Sequence, residues 1–432
     1  MLLRKSLMRA TVAGLAVILT LTVTEGSALA DPSSSSSAKE PLRLDPSSSQ
    51  VAHPKMAGIP ASITSDDDCA EVRKKLKIYA ANGQKTVSCT EAPPAAQRRT
   101  APTAKLAGVW CDGQAKNTWW LTRTSICISD WGPWTTNTVR TDNGQVIGSL
   151  SFNASMNIEL NTISLSFSQS LTVVVTTAWG VNNLSTIQYL ARCTSSCTVS
   201  DSAVSPPLTV GSVWNTTLYY QVSTTSQTSF NPQFQWRTVK PDGAVRTWGL
   251  NTVSSRPIRC DRLVGANPGC VIPTIRPTMF VSVAEWGSAA QNILFAQTVL
   301  PDKWGKSTPL RRLADPAIQN TNRAAICDST FVPDPTVVGG DSCDEFAFAA
   351  TYQSGNLLGQ TGSTCAEIRP YIDQVTGTWA IAPAGRGWNG TERCVRGHVT
   401  LAENTGVGGQ LGRFTTAERL LDYDEYWLTV TD

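Results

Sequence analysis

The chain has 432 residues and a formal net charge of +3. Three early cations, Arg4, Lys5 and Arg9, stand against one early acid, Glu25, which leaves about +1 beyond the first thirty residues and excludes a polybasic nucleic-acid coat. Only two histidines occur, His53 and His398, which argues against multi-histidine zinc hydrolysis and against a Ser-His-Asp triad.

Residues 1–30 read as a secretory signal peptide. The three cations precede the apolar run "ATVAGLAVILTLTV", and "ALA" ends at Ala30, so cleavage is expected before Asp31. No later stretch has the roughly 18 apolar residues of a membrane span. The mature chain is therefore expected to be secreted, with no transmembrane segment.

Residues 31–65 are rich in Ser and Pro and read as a disordered linker. Residues 66–105 read as a small disulfide-clipped segment and a second linker. In it, "DDDCAEVRKKLKIYAANG" predicts one helix, with acids at its start and Asn-Gly at its end.

Residues 106–300 change to period two. In "LSFNASMNIEL", Leu150, Phe152, Ala154, Met156, Ile158 and Leu160 alternate with polar residues, and the alternation resumes at Ile163. Turn signals recur at Asp142-Asn143-Gly144, Asn182-Asn183 and Pro241-Asp242-Gly243. The expectation is an all-β, sandwich-like accessory domain. Ten tryptophans fall between Trp110 and Trp286. They read either as core packing or as an exposed face for glycan or peptide.

Residues 301–432 differ again. From Lys303 onward, eleven Lys and Arg face fifteen Asp and Glu, a balance compatible with a site for a divalent cation. Asp315-Pro316 is a helix start signal. The closing "RCVRGHVTLAENTGVGGQLGRFTTAERLLDYDEYWLTV" reads as strand, glycine-rich turn, helix, turn, strand. By parity, Val395, Val399 and Leu401 share one face and His398, Thr400, Ala402 and Asn404 the other. That would put His398 beside Asn404 and make it an alternative base.

The twelve cysteines fall into six local pairs: Cys69 with Cys89, Cys111 with Cys127, Cys193 with Cys197, Cys260 with Cys270, Cys327 with Cys343, and Cys365 with Cys394. In an exported chain these are expected as disulfides.

The chemistry-bearing stretch is "SCDEFAFAATYQSG", where Asp344 and Glu345 follow Cys343 and precede an apolar run. Two readings stand. The acids could begin a helix and complement its dipole. Alternatively they are catalytic carboxylates fixed by a disulfide. Asn404 likewise reads as a turn residue or as a hard oxygen ligand.

The last 120 residues or so resemble the NucA/NucB family of secreted bacterial deoxyribonucleases. The resemblance rests on "NRAAIC", "SCDEFAFAATYQSG", "AENTGVGGQLGRF" and "RLLDYDEYWLTV". It implies a small α+β nuclease domain similar to the ββα-metal fold, following the all-β domain. It implies Asp344 as the catalytic acid-base residue, assisted by Glu345. It implies Asn404 as a metal ligand, with Glu403 in the acidic position before it, and Mg²⁺ or Mn²⁺ as cofactor. Ala347 stands where the family's motif has proline. Arg396, Arg413 and Arg419 are candidates for gripping phosphate, or are surface charges. The implied activity is metal-dependent, sequence-nonspecific endonucleolytic cleavage of DNA or RNA. The rival expectation is a secreted cell-wall or glycan-binding protein whose nuclease-like domain is inert.

Overall fold

A computed structural model describes residues 41–61, 68–93, 109–200, 202–249, 251–253 and 256–432. The signal peptide, residues 31–40 and most of the two linkers lie outside the described residues. All six expected disulfides are present. Among the described residues no helix is long and apolar enough to cross a membrane.

Two hydrophobic cores organise the described chain. The first belongs to a β-rich module. Its main sheet has eight strands built on three long ones, Ser125–Arg140, Val146–Glu159 and Ser166–Gly180, each antiparallel to its neighbour. The alternation read from "LSFNASMNIEL" lies in the middle one. A five-stranded sheet centred on Pro232–Val239 packs on it, with Trp236 against Trp131, Trp134 and Phe152. The alternation anticipated this β-rich module of several sheets. A short three-stranded sheet, Gln227–Phe230, Ile258–Asp261 and Gly269–Val271, lies toward the C-terminal module.

Six of the ten tryptophans, Trp119, Trp131, Trp134, Trp214, Trp236 and Trp248, are buried in this core. Their indoles stack edge to face and at tilted angles, a favourable geometry for ring quadrupoles. They are packing residues and offer no aromatic face to a glycan.

The region 66–105 holds two short helices in place of the single one expected: α1 (Cys69–Lys74) and α2 (Leu76–Ala81). Asp68 caps α1, accepting from Ala70 N and Glu71 N. The strand Thr86–Glu91 then pairs with Ser125–Arg140, which joins this unit to the β module.

Residues 41–61, read as linker, are structured. Ser49 is fully buried, donating to Gln297 and accepting from Val430 N, and Ala57–Pro60 pairs with Thr118–Leu121. Leu42 and Leu44 pack on the second core.

That second core begins before residue 300. The strand Thr278–Ser282 pairs in parallel with Glu425–Thr431, and α3 (Val283–Thr298) packs on the C-terminal strands. The packing boundary therefore falls near 277. Ser282 caps α3 by accepting from Glu285 N, and Ser282-Val283-Ala284-Glu285 has the capping-box spacing. From Gly287 to Gln297 every residue is buried, so no polar stripe marks the helix in the sequence.

The C-terminal sheet has four strands. The acid strand, Asp341–Phe346, lies antiparallel to the central strand, Val395–Thr400. The central strand runs parallel to Ala366–Ile372, which pairs with Trp379–Pro383. Helix α4 (Pro316–Ile326) begins at the expected Asp315-Pro316 signal, with Asp315 accepting from Ala317 N. Helix α5 (Leu401–Ala417) follows the central strand at once and packs beside the acid strand. Ala366–Ile372 and Trp379–Pro383 lie in sequence between the acid strand and the central strand that pairs with it.

Candidate active site

Asp344 and Glu345 lie on a strand, which removes the helix-capping reading of these acids. Three constraints hold that strand. Cys343 is bonded to Cys327 at the end of α4. The central strand pairs along its length, with Asp344 opposite Gly397 and Glu345 opposite Arg396. Phe346 and Phe348 then bury themselves edge to face in the core.

Asn404 reaches the acid strand from the first turn of α5. The sequence suggested that it ended a strand. The strand stops instead at Thr400, whose hydroxyl accepts from Glu403 N and caps the helix. Thr400-Leu401-Ala402-Glu403 carries the capping-box spacing, and it overrides the alternation. Asn404 Nδ2 donates to Ser342 Oγ at 3.0 Å and to the Cys343 carbonyl at 2.9 Å. The amide is therefore fixed beside Asp344, and its Oδ1 has no hydrogen-bond partner among the described residues.

Asp344 is 6% exposed. Asn292 of α3 donates from Nδ2 to its carboxyl at 3.1 Å and to its backbone carbonyl at 2.8 Å. Burial pushes the Asp344 carboxyl up to about 8, with Glu345 and then Glu403 adding repulsion and the Asn292 hydrogen bond opposing. Burial also raises Glu345, against the attraction of Arg323 3.8 Å away.

These groups line one cavity of about 610 Å³. Ser342, Asp344, Glu345, Asn404, Arg312 and Arg323 line it, with Glu345 on the sheet face of its cross-strand partner Arg396 and Asp344 on the other. Sequence reading missed Arg312, Arg323 and Asn292. Arg323 falls within "NRAAIC", but α3 gave no signal that Asn292 faces the acids.

Other expected site residues stand elsewhere. The Glu403 carboxylate accepts from Ser288 N at 3.2 Å and from Ser288 Oγ, so it is committed to α3. Arg396 is buried and points to the far face of the sheet. It pairs with Glu367 at 2.8 Å and Asp328 at 3.1 Å, away from any phosphate. Arg419 is buried too, bound to both oxygens of Asp261. Arg413 is exposed on α5 and lines a neighbouring hollow with Trp286.

His398 shares that far face with Arg396, opposite Asp344. Its Nδ1 lies 2.7 Å from Asp341 and its Nε2 3.2 Å from Glu367, with Phe331 stacked on the ring. Both nitrogens are engaged, and because Asn404 lies on a helix the expected shared strand face does not exist.

Among the described residues no group of three or more His, Cys, Asp or Glu side chains is arranged to hold a metal ion. The donors at the cavity are hard oxygens, Asn404 Oδ1 and the Asp344 carboxyl. Mg²⁺ and Mn²⁺ accept such a sparse set, with water and substrate phosphate completing the shell. The site fits a hard cation carried with substrate, and does not fit an all-protein cage. Comparison with protein-family models, with curated proteins and with solved structures finds no match for this chain.

Proposed function

We propose that the protein is a metal-dependent nuclease that hydrolyses phosphodiester bonds of DNA or RNA at the Asp344 cavity. The observation that carries this reading is the convergence of Asp344 and Asn404 on one cavity, from an acid strand and a helix about sixty residues apart in sequence. Asn404 contacts the backbone of the residue before Asp344, so the acid and the amide are held as one unit.

Ionised Asp344 takes a proton from a water molecule, whose oxygen attacks phosphorus as the bond to the leaving oxygen breaks. A carboxyl raised to about 8 is a far better base than an ordinary aspartate, and it titrates near working pH. Asn292 orients the carboxyl through its hydrogen bond. Asn404 Oδ1 would hold Mg²⁺ or Mn²⁺, which supplies neutralisation of charge developing on the phosphate. Arg323, 56% exposed at its side chain, pairs with Glu345 and donates to Asn320 Oδ1, and it could turn a guanidinium N–H to a phosphate oxygen. The disulfides are compatible with an extracellular site of action.

The glycan-binding reading rested on exposed tryptophan; six of the ten are buried, which leaves it the exposed Trp110 and Trp179. The test is supercoiled-plasmid cleavage by the mature protein with Mg²⁺, Mn²⁺ or EDTA, beside Asp344→Ala and Asn404→Ala. Metal-dependent nicking lost in both variants is expected. Nicking that survives either substitution refutes the assignment.

A further inference from the structure

The cavity is not built by the C-terminal module alone. Leu263, Val264 and Gly265, from the loop joining Ile258–Asp261 to Gly269–Val271, also line it. These residues belong to the β-rich module. We propose that this loop is a specificity element which makes the cavity favour single-stranded, flexible phosphodiester chains over the duplex. The inference rests on the nuclease reading of the same cavity.

Four observations support a fixed wall. The Cys260–Cys270 disulfide closes the loop at its base. Gly265 has φ +67° and approaches α5 so closely that a Cβ there would lie 2.8 Å from Thr416 Cγ2. Arg419 donates from Nη1 to the Asn267 and Thr162 carbonyls at 2.9 Å, and from Nη2 to the Asp261 carbonyl at 2.9 Å. Arg259 adds a 2.8 Å ion pair to Asp424 and a hydrogen bond to the Arg419 carbonyl. The loop is thereby bolted to the C-terminal end of the helix that carries Asn404. Arg419, buried and out of reach of any phosphate, serves to position this wall.

The size of this half-open cavity bears on what can enter. About 610 Å³ is the scale of a small-ligand pocket, which is room for about one or two nucleotides. Asp344 sits in the wall of that space with 6% exposure. Duplex DNA is a stiff rod over about 150 base pairs and cannot fold one phosphate inward without deformation cost. A single strand can feed a nucleotide past Leu263, whose side chain is 56% exposed at the rim.

The experiment uses the full mature chain and one labelled oligonucleotide, alone or annealed to its complement, in Mn²⁺. Leu263→Gly and Leu263→Trp are made at an exposed position, and melting temperatures confirm their folding. The expected result has three parts. The unaltered protein cleaves the single strand at least about tenfold faster than the duplex. Leu263→Gly lowers that ratio about threefold or more, and Leu263→Trp slows single-strand cleavage by about tenfold. Equal rates on both substrates overturn the inference while leaving the nuclease reading intact. A preference that neither variant alters overturns the assignment to this loop. No cleavage of either substrate by either the unaltered protein or Leu263→Gly overturns the nuclease reading and the inference together.

Discussion

Replacing Asp344 by asparagine should stabilise the protein, and the gain should grow with pH. Burial holds this carboxyl at about 8 in the fold, against 3.8 for an unperturbed group. Between those values the folded chain keeps a proton that the unfolded chain has released. Stability from this group is therefore fully present below pH 4, falls as pH rises, and levels off above about 8. The slope is about 1.4 kcal/mol per pH unit, and the whole difference about 6 kcal/mol. Asparagine carries no charge at any pH and can accept the same Asn292 hydrogen bond through its own Oδ1. The assay is thermal unfolding of both proteins in EDTA from pH 4 to 9, with disulfides oxidised. The curves should meet near pH 4. They should separate by on the order of 10 °C at pH 9, given about 2–4 °C per kcal/mol for a module of this size. A gap that stays constant across the range would show that the carboxyl is not held protonated by burial. The same titration should appear in cleavage, with activity rising through pH 8 as the base ionises.

Three further outcomes follow from the placement of side chains. His398→Ala should keep metal-dependent plasmid cleavage, because both ring nitrogens face Asp341 and Glu367 across the sheet from Asp344; loss of cleavage at unchanged melting temperature would make it catalytic. Arg419→Ala leaves Asp261 buried without its main partner, so a loss of about 3–5 kcal/mol is expected in denaturant unfolding. Gly406→Ala places a Cβ 1.8 Å from the Trp286 ring, so α5 must shift from α3. A destabilisation of about 1–3 kcal/mol and weaker cleavage are expected, read by melting and by plasmid nicking.

Arginine shows where reading the sequence stops. Arg396 and Arg419 were candidate phosphate grips because an arginine near a motif is normally solvated and free. Both are buried and paired, while Arg312 and Arg323 line the cavity. Nothing local separates the two pairs. Their partners, Glu367 and Asp261, are 29 and 158 residues away. Asn404 shows a different failure. Two signals competed at Thr400, and period-two alternation was followed although the capping spacing marked the helix.

Local chemistry, by itself, determined much of this protein. Short sequence separations pointed to the six disulfides, because nearby cysteines close small loops readily, and the structure has all six. Alternation fixed the long strands, and Cys343-Asp344-Glu345 with Asn404 pointed to the candidate site. Only the tertiary structure decided that 278–298 belongs with the C-terminal core, that Asn292 holds Asp344, and that a loop of the β module walls the cavity. The physical reason is the same in each case. Periodicity records that a residue is buried but not what buries it, and a helix buried all round leaves no period to read.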